Sequence, residues 1–355
     1  MSKDVSTAVS QCLSQYLVPV RPGSTLKHVI DLTLDKTRYA GDLAPVVLEN
    51  PLYSQFVVKV DFLQTRVKEW MTEMPEGQMN VRVLLERIFI LLGKQASRNL
   101  IAAIRLARLG NQLPRKKSDR FSPNPKEQLK QAITCEEFCE ERHYASTELA
   151  FLAGLQFDLL QTAFQRAKAS REAQGALAIQ FPESLKIAHF AYEIGSRMGS
   201  FPMSEYAFPA ALSMGLGKML AFALYPKEGG TVSYANFLAE VEKKTTLKWE
   251  FFEAEEKKRF PVTPIELASL AVSNYGFFQA IEPAIRFSGE PYYLKTSQPK
   301  LFPLALLLNI AATAASGRTL RDHQIAALKA LKINPDIVAK ATSAILVKDK
   351  MKGGS

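Results

Sequence analysis

Two neighbouring stretches decide the fold: residues 184–199 read SLKIAHFAYEIGSRMG, and residues 206–220 read YAFPAALSMGLGKML. Both are apolar and rich in small residues, with a helical rather than an alternating pattern. A shorter echo lies upstream, where TELAFLAGLQFD at 147–158 resembles SEYAFPAALSMG at 204–215. The echo could reflect a duplication or two closely packed helices whose small residues permit near approach, and we favour the second interpretation.

The rest of the chain has the same helical character. Apolar residues such as Phe56, Val60 and Leu63 fit one face of a helix. Residues 110–126 (GNQLPRKKSDRFSPNPK) are rich in Pro, Ser and basic residues and predict a linker or mobile loop. No alternating β pattern of any length is visible, so the predicted fold class is all-α. The predicted helices are 42–49, 52–70, 81–92, 96–109, a long pair over 128–169, 234–244, 264–274 capped by Thr263, 301–315, 321–332 and 335–347.

Length and composition limit the classes of protein to which this chain can belong. A chain of 355 residues could form two domains, or one large domain with additions. The apolar share of 47% and charged share of 23% are ordinary for a globular protein. Three sparse cysteines suit a reducing compartment. No signal peptide is evident, and the longest apolar run, Leu301 to Ala315, is too short to span a bilayer. These features predict a cytoplasmic protein without a membrane span.

The net charge of +10 favours acidic partners, such as nucleic acid or an acidic protein face. If the densest positive region folds together, it could receive an acidic protein, nucleic acid or a phosphorylated ligand. The alternative is a plain solvated face. The residues of this predicted basic surface are Arg98, Arg105, Arg108, Arg115, Lys116 and Lys117.

Other chemically capable residues favour structural roles. Cys135, Cys139 and His143 share one stripe of a predicted helix. The stripe spans roughly 12 Å, too far for all three to bind one ion. His189 lies among apolar neighbours, which is typical of a core or interface histidine. Asp158 is interpreted as a surface or capping residue. None of these residues predicts a metal or cofactor site.

Five segments, the quoted helix pair among them, match one known family in order and spacing. Together they resemble the HDOD domain, a helical relative of HD-type metal phosphohydrolases found in bacterial signalling proteins. The segments are 42–52 (DLAPVVLENPL), 87–100 (RIFILLGKQASRNL), the helix pair over 184–225, 264–271 (PIELASLA) with 281–287 (IEPAIRF), and 304–317.

The resemblance implies a site that has lost its metal ligands. In HD-type enzymes the second helix of the pair usually reads AFLAGLLHDIGKL. Here Met214 and Gly215 stand in place of His and Asp, while Gly217 and Lys218 keep the Gly-Lys. Only Glu183 among the mapped positions could ligate a hard divalent cation. We therefore predict no metal, no cofactor and no catalytic residue. The mapped positions are Glu183, Met214, Gly215, Thr263, Pro264, Phe287 and Ser288.

The same resemblance implies an architecture, a multi-helix HDOD-like bundle with an inserted helical hairpin. The predicted divisions are an N-terminal segment (1–25), an N-terminal helical subdomain (26–110), a basic linker plus inserted hairpin (111–180), a pseudo-HD subdomain (181–316) and a C-terminal extension (317–355).

The leading functional prediction is a non-catalytic bacterial signalling or scaffold protein that binds a protein partner. Cyclic-dinucleotide and two-component pathways are the settings that the resemblance implies. One alternative is a nucleic-acid-associated regulator, whose binding through a basic surface would weaken steeply with salt. Another is a nucleotide-binding receptor that uses the emptied HD cavity.

Overall fold

The computed structural model describes residues 3–73, 80–111, 113, 122–145, 147–199, 203–226, 233–243 and 249–352. It is 79% helical, and the described residues contain no β-sheet. The predicted all-α class is therefore confirmed.

One of the predicted N-terminal helices differs from the structure, and the helices over Lys3–Cys12 and Ser24–Leu34 were not predicted. The predicted helix over 52–70 is wrong, because the chain leaves helical geometry at Val60 (φ −63°, ψ 125°). Consecutive β-branched residues disfavour a helix at this point, and the Gln64 side chain donates a 2.6 Å hydrogen bond to the Val58 carbonyl. The helices are α1 Lys3–Cys12, α2 Ser24–Leu34, α3 Leu43–Leu48, α4 Pro51–Val57, α5 Gln64–Glu73 and α6 Val81–Leu109, with 3-10 turns at Val18–Val20, Ala40–Asp42 and Asp61–Leu63 and a π turn at Leu13–Leu17.

The middle of the chain forms the predicted helix pair and then a long helix. Every residue from Ala150 to Leu160 is buried, so the hairpin expected as an insertion lies inside the core. Gly154 permits this, because a Cβ there would overlap the backbone of Gln131 and Ala132. The helices are α7 Pro125–Gln128, α8 Lys130–Glu141, α9 Thr147–Arg166 and α10 Arg171–Gly195.

The C-terminal half completes the bundle. Thr263 and Glu266 form the capping box that starts one helix, and Gly276 ends that helix with a left-handed φ of 71°. The predicted cap at Thr263 is therefore confirmed. The helices are α11 Ala207–Leu224, α12 Tyr234–Lys243, α13 Trp249–Arg259, α14 Pro264–Tyr275, α15 Glu282–Arg286, α16 Tyr293–Ser297, α17 Phe302–Ala315, α18 Asp322–Ala330 and α19 Asp336–Lys352, with 3-10 turns at Ser204–Tyr206 and Gln279–Ile281.

The core is centred on α11, which packs against α9, α10, α14 and α17. Small residues allow the close approaches: a Cβ at Gly215 would overlap Ser184, and one at Gly217 would overlap the Pro264 carbonyl. Residues Ser204–Leu224 are long and apolar enough to cross a membrane, but 78% of the tested window is buried inside the protein. A core helix passes the same test, so this segment is weak support for a membrane span.

The C-terminal extension is tied to this core by polar contacts. Gln324 on α18 donates from Nε2 to Asn309 Oδ1 at 2.6 Å and to Thr313 Oγ1 at 2.9 Å, and all three side chains are buried. Helix α19 also packs against α10. The region 317–352 therefore belongs to the same packed unit as the helices before it.

Candidate functional site

A cavity of about 330 Å³ lies where α10 and α11 meet the start of α14 and the end of α17. Four of the seven mapped positions, Glu183, Met214, Gly215 and Pro264, line it. These four residues come from three separate helices, α10, α11 and α14, and lie around one space. The other lining residues are Ser184, Lys186, Ile187, Lys218, Tyr234, Glu256, Ile265, Ala312, Ala315 and Ser316.

The remaining mapped positions lie elsewhere. Thr263 is next to Pro264 but serves as the cap of α14, where its Oγ1 accepts from the Glu266 N–H at 3.4 Å. Phe287 packs against the Tyr293 ring, with centroids 5.9 Å apart. Ser288 is buried and donates to the Ile285 carbonyl at 2.8 Å. Phe287 and Ser288 are not part of the cavity lining.

Close packing of two helices shapes the cavity wall. Gly215 leaves room for the Ser184 side chain of α10, whose Oγ donates to the Gln180 carbonyl at 2.6 Å. Pro182 lies inside α10 just before the cavity, and its ring lacks the N–H that would continue the helical ladder. The missing Cβ at Gly215 therefore lets α10 and α11 approach closely along this wall.

Two polar pairs face this space. Lys218 Nζ lies 3.5 Å from Glu183 Oε2, and both side chains remain partly exposed, which places this pair on the solvent side. Tyr234 and Glu256 are buried, and the Tyr234 hydroxyl donates to Glu256 Oε1 at 3.0 Å. Burial raises the pKa of Tyr234 well above its ordinary value, and the nearby Glu256 charge raises it further. Tyr234 therefore stays protonated and acts as a donor at physiological pH.

The lining does not resemble a site for a catalytic metal. Glu183 and Glu256 are its carboxylates, Glu183 faces an ammonium group and Glu256 faces a phenol. A hydrolytic HD-type site needs several imidazoles and carboxylates that converge on the ion. Across the described residues, no group of three or more His, Cys, Asp or Glu side chains is arranged to hold a metal ion.

The predicted basic surface does not form as expected. Arg98 is only 2% exposed, so its assignment to a surface is wrong. Its Nη2 donates to both carboxylate oxygens of Glu136 at 2.8 Å, and its guanidinium lies 3.6 Å from the Phe151 ring centroid. Arg105 is half-buried and donates to the Arg21 carbonyl, while Arg108 is exposed. Three further predicted members lie outside the described residues: Arg115, Lys116 and Lys117.

The cysteine and histidine residues have structural positions. Cys135 and Cys139 are buried, and burial raises the pKa of Cys139 to about 12, so this thiol is neutral. His143 lies beyond the end of α8 with a positive φ of 56°, away from the predicted stripe. His189 is buried beside Phe138, with ring centroids 5.4 Å apart. These positions agree with the core role predicted for His189.

Asp158 is a capping residue, as predicted, but it lies in the interior rather than at the surface. Its two carboxylate oxygens accept from the Gln131 and Ala132 N–H groups at 3.1 and 3.0 Å. These donors belong to the first turn of α8, so the side chain of α9 satisfies the otherwise unpaired start of its neighbour. The contact is long-range in sequence, which no local motif indicates.

Sequence patterns found only part of the cavity. Lys218 belongs to the Gly-Lys pair that the sequence already singled out, and it does line the space. Tyr234 and Glu256 carried no signal, because they come from α12 and α13 and reach the cavity only through tertiary packing. No protein-family model, curated protein or solved structure matches this chain.

Proposed function

We propose that this chain is a non-catalytic signalling protein related to the HDOD domain, and that a small ligand binds in the α10–α11 cavity. The observation that supports this proposal is the convergence of Glu183, Met214, Gly215 and Pro264 on one space of about 330 Å³. Ligand pockets are typically about 300–1,000 Å³, largely apolar and fitted with a few polar groups. The protein would act by coupling occupancy of the cavity to a protein partner.

The lining indicates the chemistry of the ligand. Ile187, Met214 and Ile265 provide an apolar wall. Of the charged lining residues, Lys218 is paired with Glu183, Glu256 accepts from Tyr234, and Lys186 adds a further positive charge. Such a lining suits a small molecule with an apolar body and an anionic group. The volume lies near the lower end of the ligand range, which favours a mononucleotide or a smaller molecule over a dinucleotide.

Thermal unfolding of the purified protein with AMP, GMP, a cyclic dinucleotide or octanoate tests this proposal. A ligand that binds only the folded state raises the midpoint, and the gain is about 2.7 kcal/mol at a hundredfold excess over Kd. Met214→Trp fills the cavity and should abolish the shift, and Lys218→Met should weaken it for anionic probes. Met71→Trp, at an exposed position outside the cavity, is the matched control. An equal shift in Met214→Trp and wild type would place the ligand elsewhere.

The nucleic-acid alternative receives less support. Burial of Arg98 and the hydrogen bond from Arg105 to Arg21 leave Arg108 as the one exposed arginine among the described members of the basic surface. Binding of a DNA duplex that falls steeply between about 50 and 200 mM salt would favour this alternative.

A further inference from the structure

Another cavity, of about 460 Å³, lies between the end of α6, the start of α8 and the second half of α9. Among the described residues, it shares no lining residue with the α10–α11 cavity. Its volume falls within the range of about 300–1,000 Å³ that is usual for ligand sites. Its lining is rich in side-chain amides, which belong to Asn124, Gln128, Gln131, Gln161 and Gln165.

A buried carboxylate belongs to the same lining. Asp158 is 6% exposed, and its two oxygens accept the N–H groups of Gln131 and Ala132. Within the part of the chain that the structure describes, no basic side chain pairs with it, and burial raises its pKa to about 8. A buried carboxyl group without a counter-charge either holds a proton or is paired with a cation from outside the chain.

The neighbouring polar groups on α9 are acceptors as well. Gln161 Oε1 is buried and accepts no hydrogen bond from the described residues. Thr162 uses its hydroxyl hydrogen to donate to the Asp158 carbonyl at 2.9 Å, so its oxygen can accept one more hydrogen bond but cannot donate another. An unpaired buried acceptor is costly, and a ligand that fits this lining must therefore supply donors.

The charge of the lining favours a cation. Glu127 and Asp158 are its acidic residues and Lys130 is its one basic residue among those described, although the whole chain carries +10. No aromatic side chain of the described residues lines the cavity, whereas a quaternary ammonium group is typically held by aromatic faces. The lining instead suits a cation with N–H donors, because such groups form charge-assisted hydrogen bonds to carboxylate and amide oxygens.

We propose that this cavity binds a small organic cation with a primary ammonium or guanidinium group, held by the Asp158 carboxylate and the neighbouring amide oxygens. The cation supplies the counter-charge that Asp158 lacks within the described chain, and its N–H groups supply the donors. The site is separate from the α10–α11 cavity, and the proposal does not depend on the function proposed above.

Isothermal titration calorimetry of the full chain with agmatine and with putrescine tests the proposal. We choose about pH 8, where a proton competes less for the carboxylate, and about 0.15 M NaCl, which screens weak attraction to exposed carboxylates. Both probes should bind at a single site. Choline, a cation without an N–H donor, and butanediol, which has donors but no charge, should not bind at the same concentrations.

Two variants locate the site. Asp158→Asn removes the charge, and Leu177→Trp on α10 narrows the cavity without changing any of its hydrogen-bonding groups. Each should raise the Kd for agmatine at least tenfold. The matched control is Met71→Trp, at an exposed position outside the cavity, which should leave Kd unchanged. Circular dichroism checks folding, and Leu177→Trp keeps the test decisive if Asp158→Asn does not fold.

Several outcomes would overturn the proposal. They are no binding of either agmatine or putrescine to wild type, binding of choline as tight as that of agmatine, and a Kd for agmatine that is unchanged in folded Leu177→Trp. A signal that is lost in Met214→Trp but kept in Leu177→Trp would also overturn it, because the cation would then occupy the α10–α11 cavity.

Discussion

The Arg98–Glu136 ion pair is buried on both sides, and its strength depends on both charges being present. Burial lowers the pKa of Arg98, while the Glu136 charge and hydrogen bonds act in the opposite direction. Glu136→Gln leaves a charged guanidinium inside the protein without its counter-charge. We expect the free energy of unfolding to fall by ~3–5 kcal/mol in urea denaturation.

A surface pair provides the control for this prediction. Glu86→Gln removes one partner of the exposed Arg82–Glu86 pair and should change stability by less than about 1 kcal/mol. The double variant Arg98→Met with Glu136→Leu should recover most of the loss, since no buried charge remains. Equal losses from Glu136→Gln and Glu86→Gln would contradict a buried, charge-dependent pair.

Asp158 should make stability depend on pH. Burial raises its pKa to about 8, although the two N–H donors of α8 act to lower it. In the unfolded chain an aspartate titrates near about pH 4. Between these values the folded state holds more protons than the unfolded state, so this group's contribution to the free energy of unfolding falls as pH rises, by up to about 1.4 kcal/mol per unit.

Asp158→Asn removes this titration. We expect the free energy of unfolding of wild type to fall relative to that of Asp158→Asn as pH rises from about 5 to about 8. Urea denaturation across the pH series measures this difference. A flat difference for Asp158→Asn would mean that the N–H donors keep the buried carboxylate ionised.

Among elements, α6 depends on a glycine to change direction. Gly93 has φ 75° and ψ 172°, a conformation that is essentially restricted to glycine and costs other residues about 1–3 kcal/mol. No atom lies within 4 Å of the place a Cβ would take, so the cost arises in the backbone alone. Gly93→Ala should lower the free energy of unfolding by that amount in urea denaturation.

Gly175 on α10 is the matched comparison. A Cβ there also meets nothing within 4 Å, but the backbone is helical. Gly175→Ala should therefore raise the free energy of unfolding by about 0.5–1 kcal/mol. Stabilisation by both alanines would show that the break in α6 tolerates a side chain.

Elements with local signals could be predicted from sequence, and those fixed by distant contacts could not. The start of α14 follows from Thr263 and Glu266, which lie three residues apart. The break at Val60 was missed because the Gln64 side chain, which lies after the turn, donates to the Val58 carbonyl in place of a helical N–H. Arg98 was placed at the surface because its partner, Glu136, lies 38 residues away. The cavity was only partly predicted. A sequence pattern marks its lining residues on α10 and α11, whereas Tyr234 and Glu256 reach it through tertiary packing that no local pattern indicates.

At the scale of the whole molecule, charge is unevenly distributed. The region 34–94 is neutral, so the net charge of +10 resides entirely in the rest of the chain. A polyanion is therefore attracted to the rest of the chain rather than to this region. Salt screens such long-range attraction, since the Debye length falls from ~30 Å at 0.01 M to ~8 Å at 0.15 M.

Salt should therefore separate ligand binding from nucleic-acid binding. Stabilisation of the fold by octanoate depends on burial of its apolar chain, so we expect the shift in the unfolding midpoint to change little between about 50 and 200 mM NaCl. Binding to a DNA duplex, measured by sedimentation velocity, should fall by orders of magnitude over the same range. Loss of the octanoate shift at 200 mM NaCl would mean that charge, and not the apolar wall of the cavity, holds the ligand.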